Sequence, residues 1–317
     1  MILTDTFRIL GRNHHVLWRF VLYALVCVLV VGGLSLVICT PLVSELTRLG
    51  FWEKFQDLFV NITFNFNIGS VFHEIFSFIT YFGDLVSENV STVLPFLIVF
   101  CVIFSAGCRF TVGLAELPVA DYVYNSMASN TRLSFSVCFI KNLKKSVKLQ
   151  LAKLCVVLPV ELLITCSSIG LLLLFNLNIT WINVLLPLVM LVLLVLFIAF
   201  KQTLFGLWVP AETIFENGVW RSFGKSISSL KGNFCAVFGR FTLISLMVVF
   251  INYLLTILTM SIGLFILVPI EICTFIILGL VMTFYLNGLR FYVAEKEIIT
   301  PKKKENWERV SSLKDII

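Results

Sequence analysis

Six apolar runs punctuate the chain, and each is long enough to cross a bilayer. Crossing ~30 Å of hydrocarbon at 1.5 Å per residue takes about 20 apolar residues. The runs extend from about Trp18 to Leu42, Val93 to Val112, Leu149 to Phe175, Trp181 to Leu207, Phe234 to Met260 and Gly263 to Val293. Of the 317 residues, 59% are hydrophobic and only 13% are charged. Soluble domains carry roughly a quarter charged residues. So much apolar surface exceeds what a soluble core can hide. The expected fold is all-α: a polytopic membrane helix bundle with six transmembrane helices plus interfacial amphipathic helices. The expected domains are a membrane domain over 1–293, with an external interfacial segment at 43–91, and a basic tail over 294–317.

Lys and Arg set the orientation. Arg8, Arg12 and Arg19 precede the first run. Arg132, Lys141, Lys144, Lys145 and Lys148 fill the loop after the second, and Arg221, Lys225 and Lys231 the loop after the fourth. Lys302, Lys303, Lys304, Arg309 and Lys314 lie in the tail. A six-span path puts all of these on one side, with Arg48 and Lys54 opposite among Glu45, Glu53, Asp57, Glu74, Asp84 and Glu88. The expectation is a multi-pass plasma-membrane protein with both termini cytoplasmic. The first run is longer than a signal-peptide core of about 7–15 residues and reads as a signal anchor.

Two runs carry the same interruption, Pro159-Val160-Glu161 and Pro269-Ile270-Glu271. A carboxylate at mid-bilayer costs at least ~2.5–3.5 kcal/mol on insertion scales, and the proline frees a backbone carbonyl and can kink the helix. Glu161, Glu271, Pro159 and Pro269 are therefore the candidate intramembrane polar site. The two carboxylates meet around a shared proton or cation, or each is satisfied by a partner of its own. Thr165, Ser167, Ser168, Asn252, Tyr253 and Thr256 are available to join them. Lys153, Lys201 and Arg240 fall near the inner interface, where long cationic side chains snorkel outward rather than pair.

Between the first two runs, Phe51, Trp52, Phe55, Leu58 and Phe59 recur at helical spacing, as do Val71, Phe72, Ile75, Phe76, Ile79 and Phe82. Such stripes predict helices lying in the headgroup plane or covering the bundle. His73-Glu74 has no accompanying nucleophile or third ligand and reads as a solvated face. The nine cysteines form no CxxC and no cluster of metal spacing, and read as small hydrophobes.

A duplication is visible. Leu117-Pro118-Val119-Ala120-Asp121 follows the second run and Val209-Pro210-Ala211-Glu212 follows the fourth. Each precedes a basic amphipathic stretch, Phe135–Lys141 in one copy and Trp220–Ser226 in the other. Internal repeats accompany many transport folds. The same stretches also serve as elbows floating on anionic headgroups.

The stretch Ala211-Glu212-Thr213-Ile214-Phe215-Glu216-Asn217-Gly218-Val219-Trp220-Arg221-Ser222-Phe223-Gly224-Lys225-Ser226, then Leu230-Lys231-Gly232-Asn233-Phe234, resembles a bacterial six-span membrane family. That family includes proteins of unknown function and the membrane domains fused to some glycerophosphodiester phosphodiesterases. Tyr285-Leu286-Asn287-Gly288-Leu289-Arg290-Phe291-Tyr292 is similar to the family's last span. The resemblance covers roughly the C-terminal two thirds and implies six spans. It supplies no catalytic residues, and the short stretch after Val293 leads to no expectation of a fused phosphodiesterase domain.

No paired Asp, Ser–His pair, HExxH or phosphate-binding Gly-rich loop is present, so neither an enzyme nor a primary pump is expected. The expectation is a non-enzymatic, envelope-organising or partner-binding membrane component. The alternative is a small secondary transporter or ion-coupled permease built on Glu161 and Glu271. The expected partners are the bilayer, anionic headgroups at the cytoplasmic face, and another membrane protein or a second copy. No cofactor and no nucleic acid are implied.

Overall fold

The computed structural model describes residues 2–64, 68–128, 134–173, 180–259, 263–293 and 296–298. Among them the chain forms thirteen α-helices and one short two-stranded ribbon. It divides into two units, one made of residues 1–25 and 110–317 and the other of residues 26–109.

Five described helices are long and apolar enough to cross a membrane by length and composition, so the chain is a multi-pass membrane protein. Four expected runs coincide with helices: α2 (His14–Ile38), α6 (Leu94–Gly113), α9 (Thr180–Phe205) and α12 (Phe234–Thr259). The first run ends earlier than expected, because Pro41 starts a new helix, α3 (Thr40–Arg48). The last run also ends early. Helix α13 (Leu264–Asn287) stops at Gly288, whose φ of 64° is left-handed, and Phe291–Val293 is strand β1, paired antiparallel with β2 (Lys296–Ile298). The last expected run therefore ends in a strand rather than in helix.

The third expected run lies on α8 (Phe135–Leu173), a single helix of 39 residues and about 58 Å. Its side chains from Ile164 onward fall outside the described set, as do the links at 174–179 and 260–262. The basic amphipathic stretch expected as a separate elbow is instead the first third of this helix. In the second copy it does stand alone, as α11 (Val219–Leu230). The difference is local: Lys231-Gly232-Asn233, with Gly232 at φ 80°, interrupts the second copy, whereas Leu143-Lys144-Lys145-Ser146-Val147 continues the helix in the first.

Prolines break helices where the duplication places them, and not within the Pro-x-Glu runs. Helix α8 runs unbroken through Pro159 and α13 through Pro269. The breaks fall instead at Leu114-Ala115, between α6 and α7 (Glu116–Ala128), and at Gly206-Leu207, between α9 and α10 (Trp208–Phe215). Pro118 and Pro210 are each the third residue of the new helix, and each pyrrolidine collides with the carbonyl four residues back. The hydrogen bonds resume identically, from Val119 N–H to the Ala115 carbonyl and from Ala211 N–H to the Leu207 carbonyl, both 2.9 Å. The duplication is thus a repeated proline break.

In the larger unit, α13 is the axis. Every side chain from Cys273 to Phe284 is buried, beneath α1 (Ile2–Arg12), α7, α10 and α12. A helix apolar on all sides is one that others enclose. Asp5 of α1 accepts a 3.1 Å hydrogen bond from the Tyr285 hydroxyl. The fully buried Phe291 packs its ring 5.3 Å from Phe284 and ties the ribbon to the end of α13.

The smaller unit holds the aromatic segment as an antiparallel hairpin of α4 (Phe51–Phe64) and α5 (Ile68–Glu88). Phe51 meets Phe82 and Phe55 meets Phe78, with ring centroids 5.6 and 5.9 Å apart. The Tyr81 hydroxyl donates to the Leu49 carbonyl at 3.2 Å. Part of the α4 stripe therefore covers α5, while Trp52, Phe55 and Phe59 keep exposed surface. The side chains of His73 and Phe76 lie outside the described residues.

Candidate functional site: an acid–base seam along α8

Asn142, Ser146, Gln150, Lys153 and Glu161 are spaced four, four, three and eight residues apart, so they share one face of α8. At the start of the seam Asn142 donates to Asp121 Oδ2 at 2.8 Å, and Lys141 sits 3.3 Å from the same oxygen. Asp121 is buried on α7. Two turns on, Gln150 donates to the Gly113 carbonyl at 2.7 Å and to Glu116 Oε2 at 3.2 Å, and Lys153 forms an ion pair with the same carboxylate. Glu116 opens α7, where the positive end of the helix also favours an acid. At the far end Glu161 pairs with Lys201 of α9 at 2.8 Å. Between the two α7 clusters the hydroxyl of Ser146 is buried and has no hydrogen-bond partner among the described residues.

The second proline break has a shorter counterpart. Glu212 is buried on α10 and accepts a 2.6 Å hydrogen bond from the Ser222 hydroxyl of α11. Trp208, fully buried, donates to the Val219 carbonyl at 2.8 Å. In both copies an acid just after the proline fastens the broken helix to the amphipathic element that follows.

Glu161 and Glu271 each face a neighbour on the next helix. Glu161 has Lys201, and Glu271 on α13 interacts with Asn252 of α12. Glu271 Oε1 is buried without a hydrogen-bond partner among the described residues. Of the other polar groups expected around them, Tyr253 is largely exposed. The side chains of Thr165, Ser167, Ser168 and Thr256 lie outside the described set. Two lysines expected to snorkel are paired instead. An ammonium drawn out of water is costly alone, and Glu116 and Glu161 stand within reach of Lys153 and Lys201. Arg240 lies near Tyr285, beside the Asp5 contact.

Cys138, one turn before Asn142, is fully buried, and burial together with the nearby Asp121 carboxylate pushes its thiol up to about 11. It behaves as the small hydrophobe expected of it. Among the described residues no three His, Cys, Asp or Glu side chains gather as a metal site requires.

Neither a known family model, nor a curated protein, nor a solved structure matches this chain.

Glu116, Asn142, Ser146 and Gln150 were not among the expected site residues. The apparent span starts at Leu149, which hid a polar stripe that begins before it. Continuing the helical spacing backward from Lys153 through Gln150, Ser146 and Asn142 would have exposed it.

Proposed function

We propose that this chain is a non-enzymatic membrane component of six spans, with both termini cytoplasmic, that organises or binds other envelope proteins. The observation that carries the reading is the closure of the α8 seam. Asp121, Glu116 and Glu161 are each answered by Lys, Asn or Gln of the same chain. Charges closed on one another within a bundle join helices, and among the described residues of the seam no carboxylate is left without a partner. The sixth span is the apolar part of α8. The basic loops and the resemblance to the six-span bacterial family support the count and the orientation.

A second reading, a small ion-coupled permease, is favoured by the orphaned Glu271 oxygen and by two proline-broken helices in repeat. One experiment separates them. Glu161→Lys combined with Lys201→Glu should restore the stability that either change removes, and the swapped protein should complement a deletion strain. Glu271→Gln should also complement. A Glu271→Gln protein that is abundant and thermally intact yet fails to complement overturns the structural reading in favour of transport.

A further inference from the structure

We propose that the outward face of the first third of α8 binds anionic phospholipid headgroups. The inference rests on reading α8 as a span. Ser136, Val137, Ile140, Lys141, Leu143, Lys144 and Lys148 are all exposed and fall on one arc about 160° wide. Ile140 is 77% exposed. Apolar side chains interleaved with lysines on one arc match an anionic lipid surface, which offers hydrocarbon and negative charge side by side.

Three observations turn this face toward lipid rather than water. The acids packed nearby are engaged: Asp121 with Asn142 and, at the edge of the arc, with Lys141 at 3.3 Å, Glu212 with Ser222, and Glu216 with Lys145 at 3.3 Å. Little negative charge therefore remains to offset Lys144 and Lys148. The same arc also continues into exposed Leu151 and Cys155, which carry no charge, so the hydrocarbon boundary falls just past Lys148. Finally, α11 repeats the chemistry, with Trp220 60% exposed next to exposed Arg221. Interfacial tryptophan beside a cation marks the headgroup level.

The geometry requires α8 to enter the bilayer obliquely. Upright, Ile140 would sit about 16 Å from Leu151 along the membrane normal. A tilt of about 40°, the upper end of the ordinary range, shortens this to about 12 Å. With Leu151 one turn inside the hydrocarbon, Ile140 then reaches a headgroup layer roughly 5–8 Å thick.

The test is photocrosslinking of the full chain in vesicles of equal parts phosphatidylcholine and phosphatidylglycerol. Benzoylphenylalanine is placed at Ile140 or, separately, at Leu151, and adducts are weighed by mass spectrometry. The Leu151 probe should capture both lipids, and its failure would overturn α8 as a span. The Ile140 probe should capture mainly phosphatidylglycerol. That preference should fall by about fivefold for each lysine removed in Lys144→Gln and Lys148→Gln. Lipid capture at Leu151 with none at Ile140, or protein crosslinks alone there, overturns the headgroup site while leaving the span intact. Equal capture of both lipids at Ile140, unchanged by the lysine substitutions, also overturns it.

Discussion

Gly279 of α13 lies so close to Gly206 that a Cβ there would stand 2.7 Å from the Gly206 carbonyl oxygen and 2.9 Å from Pro210 Cγ. That carbonyl is the one Pro210 deprives of its helical donor. The missing side chain of Gly279 is what leaves room for that carbonyl. In the first copy the backbone opened before Pro118 is met differently, by the Gln150 amide on the Gly113 carbonyl.

Gly279→Ala should therefore overpack this contact and cost about 1–3 kcal/mol. Gly239→Ala on α12, where an added Cβ meets nothing within 4 Å, should be neutral or slightly stabilising. Thermal melting of the two variants in the same detergent checks this. Equal melting temperatures would refute the close approach.

Glu161→Gln or Lys201→Met alone should leave a mostly buried charge without its ion-pair counterpart and cost ~3 kcal/mol. Changing both to leucine should recover most of that loss, since the desolvation disappears with the pair. A double-mutant cycle in thermal stability measures the coupling. Additive single effects would mean that the pair does not form.

Cys138 should resist alkylation in the folded protein at neutral pH, because its thiol is buried and held at about 11. The folded value lies above the unfolded one. Its contribution to stability is thus complete below pH ~9 and is lost as pH rises toward 11. Melting curves between those values should fall less steeply for Cys138→Ala than for the parent. Identical slopes would contradict this.

For topology, impermeant thiol labelling in a cysteine-depleted background should modify Ser44→Cys and Ser87→Cys from outside intact cells. It should leave Ser311→Cys unmodified until the membrane is opened. Labelling of Ser311→Cys in intact cells would overturn the six-span topology with both termini inside.

Helices whose own residues decide them were legible in the sequence: α6, α9 and α12 begin and end within about two residues of the apolar runs. Local signals also explain the two early endings, since Pro41 and Gly288 are punctuation that a count of apolar residues overlooks. The breaks before Pro118 and Pro210 were legible as the ends of apolar runs, but that Pro159 and Pro269 sit in unbroken helices was not. The groups that meet the opened backbone, Gln150 and Gly279, come from distant parts of the chain. The candidate site was half visible. Glu161 stood out because it interrupts an apolar run, but Lys201 lies 40 residues away, and only packing brings it in.

That separation bears on how the protein enters the membrane. Helices α8 and α9 are consecutive, and each carries one member of the Glu161–Lys201 pair. Released singly into lipid, either would bring a charge without its ion-pair counterpart, at a cost that rises with depth. Released together, they neutralise each other before reaching hydrocarbon. The two segments should therefore leave the translocon as one hairpin, with the first waiting for the second to be synthesised.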